Sequence, residues 1–350
     1  MLKGKCNLVV FGILAGIVAV ILAVMGNPGN MAICVACFVR DIAGAAYLHT
    51  APVVQYMRPE IIGIVVGAFI ISLITKEHRS TAGSSPMIRF VLGFVTMIGA
   101  LMFLGCPLRM IIRMSAGDVN AYIALIGFAG GIATGAFFLK KGFSLGRAYD
   151  SKPADGVVLP VILVILFLLS ITTTLFAAST EGPGSMHAPI LVSLIGGIVF
   201  GIAAQRSRMC FAGGIRDTIL MKDATLLIPI GVLFVVMLIY NIVGGNFHFS
   251  MAGQPIAHTE VLWNILGMYI VGLAACLAGG CPLRQLILAG SGSADSAISV
   301  VGMLLGAGFA HNFKLASSAD GSTPAGRIAV VASIVILFII ALVNIRRNKA

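Results

Sequence analysis

The pentapeptide Gly-Cys-Pro-Leu-Arg occurs twice, at Gly105–Arg109 and Gly280–Arg284, each time closing a long apolar run. A second pair lies upstream, where Cys34 precedes Arg40-Asp41 and Cys210 precedes Arg216-Asp217. Cys34 and Cys210 stand 176 residues apart (210 − 34), as do Arg40 and Arg216 (216 − 40). Cys106 and Cys281 stand 175 apart (281 − 106), as do Arg109 and Arg284 (284 − 109). The chain reads as one half-unit written twice, each copy holding two cysteines with an arginine close behind.

Of its 350 residues 59% are hydrophobic and 10% charged, with a mean hydropathy of +1.06. Soluble domains carry about 25% charged residues, so the expectation is an all-α, polytopic membrane protein forming a single integral membrane domain over residues 1–350. The net charge of +11 could suggest nucleic-acid binding. The basic residues fall mostly between apolar runs, however, which is the pattern of topology bias, and nucleic-acid binding is rejected. Lys3 and Lys5 before the apolar stretch 8–25 resemble a signal peptide; with no soluble domain following, the stretch reads as a first spanning helix. The seven cysteines sit in or beside apolar segments, so free thiols are expected.

About 20 apolar residues cross a bilayer core. That measure predicts ten spans, near 8–25, 61–75, 88–104, 121–139, 158–177, 190–204, 225–243, 262–278, 296–313 and 327–345. Four interrupted stretches, 31–56, 106–119, 209–222 and 281–295, contain Gly, Pro, Asp and Arg and read as short re-entrant helices. Charge orders the loops. Lys3/Lys5, Lys76/Arg79/Arg89, Lys140/Lys141/Arg147/Lys152, Arg206/Arg208 and Arg346/Arg347/Lys349 fall on one side, while loops 178–189 and 244–261 hold no lysine or arginine. Both termini are therefore expected in the cytoplasm. Arg40, Arg58, Lys314 and Arg327 depart from the pattern and require another explanation. With this topology the copies become inverted repeats, 8–139 and 190–313, with extra helices at 158–177 and 327–345. Inverted repeats with broken helices near the midplane recur in transporters, and non-helical backbone at that depth must line a cavity or be buried.

In Gly-Cys-Pro-Leu-Arg, proline fits the first turn of a new helix and glycine permits a sharp turn before it. Cys106 and Cys281 are thus expected near the N-terminus of a short helix, where free N–H groups and the helix dipole favour an anion and a more nucleophilic thiol. Arg109 and Arg284 reinforce that field. A charge at the membrane centre costs about 3 kcal/mol and marks function by default. The alternative is a simple helix end with cysteine as a small buried residue. Arg40-Asp41 and Arg216-Asp217 read as structural ion pairs, since pairing lowers the cost of burial. Asp118 and Asp295 are expected to cap the helices that follow them. Cys6, Cys37 and Cys276 lack repeat partners and read as packing residues. His187, His248 and His258 are too scattered for a metal site. Met110, Met114 and Met209 flank the key cysteines and read as core more than as a soft lining.

These residues resemble the YeeE/YedE family of sulfur-transport membrane proteins over essentially the whole chain. Residues 106–113 and Ser115-Ala116-Gly117-Asp118 resemble its YedE selenium-transporter branch. The resemblance implies a bacterial inner-membrane transporter for uptake of a small sulfur- or selenium-containing anion, thiosulfate or a selenium compound. It implies pathway cysteines at Cys34, Cys106 and Cys281, with Cys210 completing the symmetry, and Arg109 and Arg284 beside them. A small TusA-like cytosolic sulfur carrier is implied as a partner. No cofactor or metal is expected, and no Gly-x-x-x-x-Gly-Lys-Ser/Thr loop for ATP occurs. Competing readings are a soft-cation channel, which the arginines oppose, a membrane thiol sulfurtransferase carrying a persulfide on Cys106, and a scaffold docking a sulfur carrier on loop 140–156.

Overall fold

The computed structural model describes residues 2–345. The side chain of Lys3 and the basic residues Arg346, Arg347 and Lys349 lie outside the described residues. Fourteen α-helices account for nearly all of the regular structure. They run α1 (Leu2–Val24), α2 (Val35–Ala45), α3 (Pro59–Ile74), α4 (Pro86–Phe103), α5 (Pro107–Ser115), α6 (Val119–Lys140) and α7 (Pro153–Thr172), then α8 (Ile190–Arg206), α9 (Phe211–Met221), α10 (Ile228–Val243), α11 (Val261–Ala278), α12 (Pro282–Gly290), α13 (Ala294–Asn312) and α14 (Pro324–Val343). Nine stretches of the described residues are long and apolar enough to cross a membrane. The expected tenth, α3, has 16 residues, about 24 Å at 1.5 Å per residue. The four interrupted stretches each yield one short helix of 9 or 11 residues, α2, α5, α9 and α12. Two strands of two residues each, β1 (Thr81–Ala82) and β2 (Tyr149–Asp150), pair antiparallel and clip two basic loops together. No apolar pattern announces so short a ladder.

Helix pairing follows the duplicated sequence. α3 packs on α8 as α10 packs on α1, and α6 packs on α11 as α13 packs on α4. The short helices obey the same rule, α12 lying against α3 and α13 while α5 lies against α10 and α6. Between apolar helices in lipid, close backbone approach through small residues drives association. At the α3–α8 crossing a Cβ on Gly67 would stand 2.2 Å from the Ile198 carbonyl oxygen, and one on Gly201 2.3 Å from that of Ile64. Gly127 and Gly131 make the same contact with α11, and Gly93 with α13. The long crossings therefore lock backbone to backbone, and the short helices sit in the space they enclose.

Three of the four charges that violate the loop pattern are paired, Arg40 and Arg58 in the interior and Arg327 at a partly exposed site. Arg58 Nε lies 2.8 Å from Asp41 Oδ2, and the guanidinium donates to the carbonyls of Pro183 and Met186 while stacking on Phe38 at 4.4 Å. Arg327 meets Glu260 at 2.8 Å, whereas Lys314 stays exposed. Asp118 caps α6 by accepting from the Asn120 amide, as expected, and it also holds Arg113 at 2.6 Å. Asp295 does not cap α13; Ser293 takes that position. The Asp295 carboxylate instead accepts the amides of Gly83 and Ser84 near Arg89, tying the β1 loop to α13. A carboxylate inside the first turn cannot cap that turn, and here it faces a neighbouring loop with free N–H groups.

Candidate functional site: thiols at four helix starts

All four repeat-paired cysteines are N-cap residues: Cys34 for α2, Cys106 for α5, Cys210 for α9 and Cys281 for α12. In each case the residue two positions earlier has a left-handed backbone: Ala32 (φ 41), Leu104 (φ 62), Arg208 (φ 51) and Gly279 (φ 82). Three of these are not glycine, and each such residue costs about 1–2 kcal/mol of backbone strain. The strain turns the chain sharply and places the sulfur at the open end of the helix. Cys34 Sγ accepts from the Cys37 amide at 3.4 Å, and Cys210 Sγ from the Gly213 amide at 3.2 Å. The sulfurs thus satisfy N–H groups that a first helical turn leaves free.

The fold brings the cysteines together in two pairs, one from each copy. Cys34 and Cys106 face each other at 3.8 Å between sulfurs. Cys210 and Cys281 are neighbours in the second copy. All four are buried, none more than 5% exposed. Cys37 joins the first pair: Arg109 Nη1 donates to its sulfur at 3.5 Å. The signal for this third thiol is the spacing Cys34-x-x-Cys37 across a helix start, which symmetry matching passes over. Cys276 packs against α6 near Gly135, and Cys6 is exposed.

The arginines of the two pentapeptides have different surroundings. Arg109 is fully buried, and four oxygens take its donors: the Leu104 carbonyl, Asn30 Oδ1 at 3.1 Å, the Asn30 carbonyl at 3.4 Å and the Ile256 carbonyl at 3.0 Å. That set fastens α5 to the loops before α2 and α11. Arg284 has one such partner, Gln205 Oε1 at 3.3 Å, and its guanidinium borders a cavity. The motif glycine serves the arginine in both copies. A Cβ on Gly105 would stand 2.8 Å from Arg109 Cδ, and one on Gly280 2.9 Å from Arg284 Cγ. The sharp turn itself falls one residue earlier, at Leu104 and Gly279, contrary to the expectation that the glycine makes it.

The companion acid–base pairs form as adjacent side chains suggest: Arg40 Nη2 lies 2.7 Å from Asp41 Oδ1, and Arg216 Nη2 2.8 Å from Asp217 Oδ1. The first pair is buried and shares Asp41 with Arg58, while the second is partly exposed. His187 stacks on Tyr56 and His258 bonds the Met102 carbonyl, so the loop histidines serve separate contacts.

Two cavities lie beside the motif arginines. One of about 310 Å3 is lined by Asn30, Tyr240, Asn241, Asn246, His248 and Gln254, and Asn30 connects it to Arg109. The other, about 520 Å3, is bordered by Lys76, Arg79, Gln205, Arg208 and Arg284. Neither is lined by a paired cysteine, so packed side chains close the centre of the molecule in this conformation.

Fold and site together define a helical, multi-pass membrane protein with paired thiols at helix breaks. Residues 206–346 match the family model described as Sulphur transport. The chain is 34% identical over 122 residues to the thiosulfate transporter TsuA of Escherichia coli (strain K12), covering 33% of this chain and 32% of that protein. It is 33% identical over 93 residues to the thiosulfate transporter TsuA of Spirochaeta thermophila, covering 26% and 27%. The matched stretches span no more than about a third of either relative's length.

Proposed function

We propose that this protein carries a small sulfur oxyanion such as thiosulfate, or its selenium counterpart, into the cytoplasm through the bacterial inner membrane, and that it is not an enzyme. The carrying observation is the convergence of four N-cap cysteines into two facing, buried pairs. The topology that supports this reading is an inverted repeat with cytoplasmic termini, which sets the Cys34–Cys106 pair toward the outside and the Cys210–Cys281 pair toward the cytoplasm. An anion entering from the neutral, amide-lined cavity meets the first pair, then the second, then the cationic cavity. Helix N-termini lower the cost of desolvating a dianion, since their partial charge of about +0.5 points at the sulfur. Thiol contacts are weak enough to release the ion at each step, as conduction requires. Arg284 is free to meet the ion, whereas Arg109 holds the outer site in shape. A TusA-like carrier would receive the ion on the cytoplasmic face.

The test is uptake by proteoliposomes offered thiosulfate, selenite, sulfite and sulfate. Wild-type protein is expected to take up thiosulfate or selenite in preference to sulfate, and Cys106→Ala to lose that uptake while still inserted. Equal uptake of all four anions, unchanged in Cys106→Ala, contradicts the reading.

The Cys34-x-x-Cys37 turn beside Cys106 supports a second reading, group transfer. A thiolate would attack the outer sulfur of thiosulfate, the S–S bond would break, sulfite would leave with its electron pair, and a cysteine persulfide would remain. Mass spectrometry after thiosulfate exposure distinguishes the two, because only group transfer leaves a stoichiometric sulfur adduct.

A further inference from the structure

The 520 Å3 cavity collects four cations, Lys76 and Arg79 from the loop after α3, Arg208 from the turn before Cys210, and Arg284 from the first turn of α12. One carboxylate borders it, Glu77, which Arg206 meets at 3.5 Å and the Gln205 amide at 3.5 Å. Among the described residues no carboxylate lies within ion-pair distance of Lys76, Arg79, Arg208 or Arg284. Four unpaired cations around one space repel each other, and a doubly charged anion between them would relieve that repulsion. The cavity on the Asn30 side carries no lysine or arginine in its lining, so the charge is confined to one end of the proposed path.

Gln205 organises the deep end. It accepts from Arg284 through Oε1 and donates through Nε2 to Glu77, so its amide cannot turn without losing one contact. Arg284 is thereby held between the start of α12, where Cys281 caps the helix, and the open cavity.

We infer that this cavity is an anion-binding site of its own, taking a divalent oxyanion with Arg284 as its deep ligand and Lys76, Arg79 and Arg208 at its mouth. Its place after the Cys210–Cys281 pair rests on the proposed transport function; its binding chemistry does not. A free anion and a lipid phosphate share that chemistry.

Calorimetric titration of the full chain in phosphatidylcholine nanodiscs, with thiosulfate and with sulfate at low salt, tests it. Wild type is expected to bind both saturably and more weakly as salt rises. The double variant Arg79→Gln/Arg208→Asn should bind both about tenfold more weakly, from two mouth charges each contributing up to about fivefold. Asn suits the left-handed position of Arg208, and both residues are exposed, so the double variant keeps its fold. Arg147→Gln, an exposed arginine outside the cavity lining, should bind as wild type. Discs containing phosphatidylglycerol separate the sources: unchanged affinity assigns the site to free anions, and weakened affinity shows the lipid phosphate competing for the same cations, either result supporting the site. Wild-type affinity in the double variant, or no saturable binding to wild type, overturns the inference. Full uptake by cysteine variants alongside lost binding in the double variant would instead overturn the thiol path, and no uptake by wild type would overturn the transport reading, each leaving the site standing.

Discussion

The sulfurs of Cys34 and Cys106 stand 3.8 Å apart although 72 residues separate them in the chain. Each heads a different short helix, and each is reached through a left-handed turn two residues upstream. A disulfide needs the sulfurs at about 2.05 Å, so the two must draw together to bond. Diamide, which takes up the two hydrogens lost by the thiols, is expected to join them in the folded protein. Peptide mapping checks it, the expected product being a crosslinked fragment holding both residues. Thiols that remain separately alkylatable after treatment contradict the arrangement.

The left-handed residue before Cys34 is alanine, and glycine adopts that backbone without a steric penalty. Ala32→Gly should relieve about 1–2 kcal/mol of backbone strain, of which the freer unfolded chain takes back about 0.4–1 kcal/mol and the lost buried methyl group a further part. Thermal unfolding in detergent is the check, with an unchanged or higher midpoint expected. A fall of several degrees would mean that the turn is not under strain.

The α3–α8 crossing depends on backbone contact at Gly67 and Gly201. A methyl group on Gly67 would meet the Ile198 carbonyl oxygen at 2.2 Å, and that oxygen belongs to a helix that cannot yield locally. Gly67→Ala is expected to cost about 1–3 kcal/mol or to prevent assembly. Gly231→Ala, where an added methyl meets nothing within 4 Å, serves as the matched control and should be neutral. Equal unfolding midpoints for the two variants would contradict the packing described.

Arg109 and Arg284 occupy matching places in the repeat but should respond differently to substitution. Arg109→Lys loses a planar donor set spread over four oxygens and should lower stability by about 3 kcal/mol or more, as breaking a buried charge network does. Arg284→Lys keeps a charge beside the cavity and loses one contact, to Gln205, so stability should change little. Parallel unfolding and uptake measurements on both variants separate the roles. A larger stability loss in Arg284→Lys would reverse the assignment.

Much of this arrangement is legible in the amino-acid order. Runs of apolar residues locate most long helices to within about three positions, though α1 starts six residues before the expected span and α7 lies five residues before its own, and the paired pentapeptides mark the starts of α5 and α12. What the order of residues does not carry is long-range. Arg58 finds Asp41 across a loop and the Pro183 and Met186 carbonyls more than a hundred residues away, which no spacing rule encodes. Cys37 lacks a counterpart in the second copy and so reads as packing, yet Arg109 reaches its sulfur. The motif glycine suggests a turn because glycine so often permits one, whereas its lack of a side chain makes room for an arginine stem. Asp295 sits too deep in its helix to cap it, a distinction that a shift of a residue or two does not announce.

The central claim is that the two thiol pairs lie in series on one anion path. Initial rates of labelled thiosulfate uptake into proteoliposomes, measured for Cys34→Ala, Cys106→Ala, Cys210→Ala and Cys281→Ala, test it most directly. All four rates should fall by about tenfold or more, the equivalent of about 1.4 kcal/mol or more at each step, with insertion and unfolding midpoint unchanged. Wild-type rates in both members of either pair would contradict it.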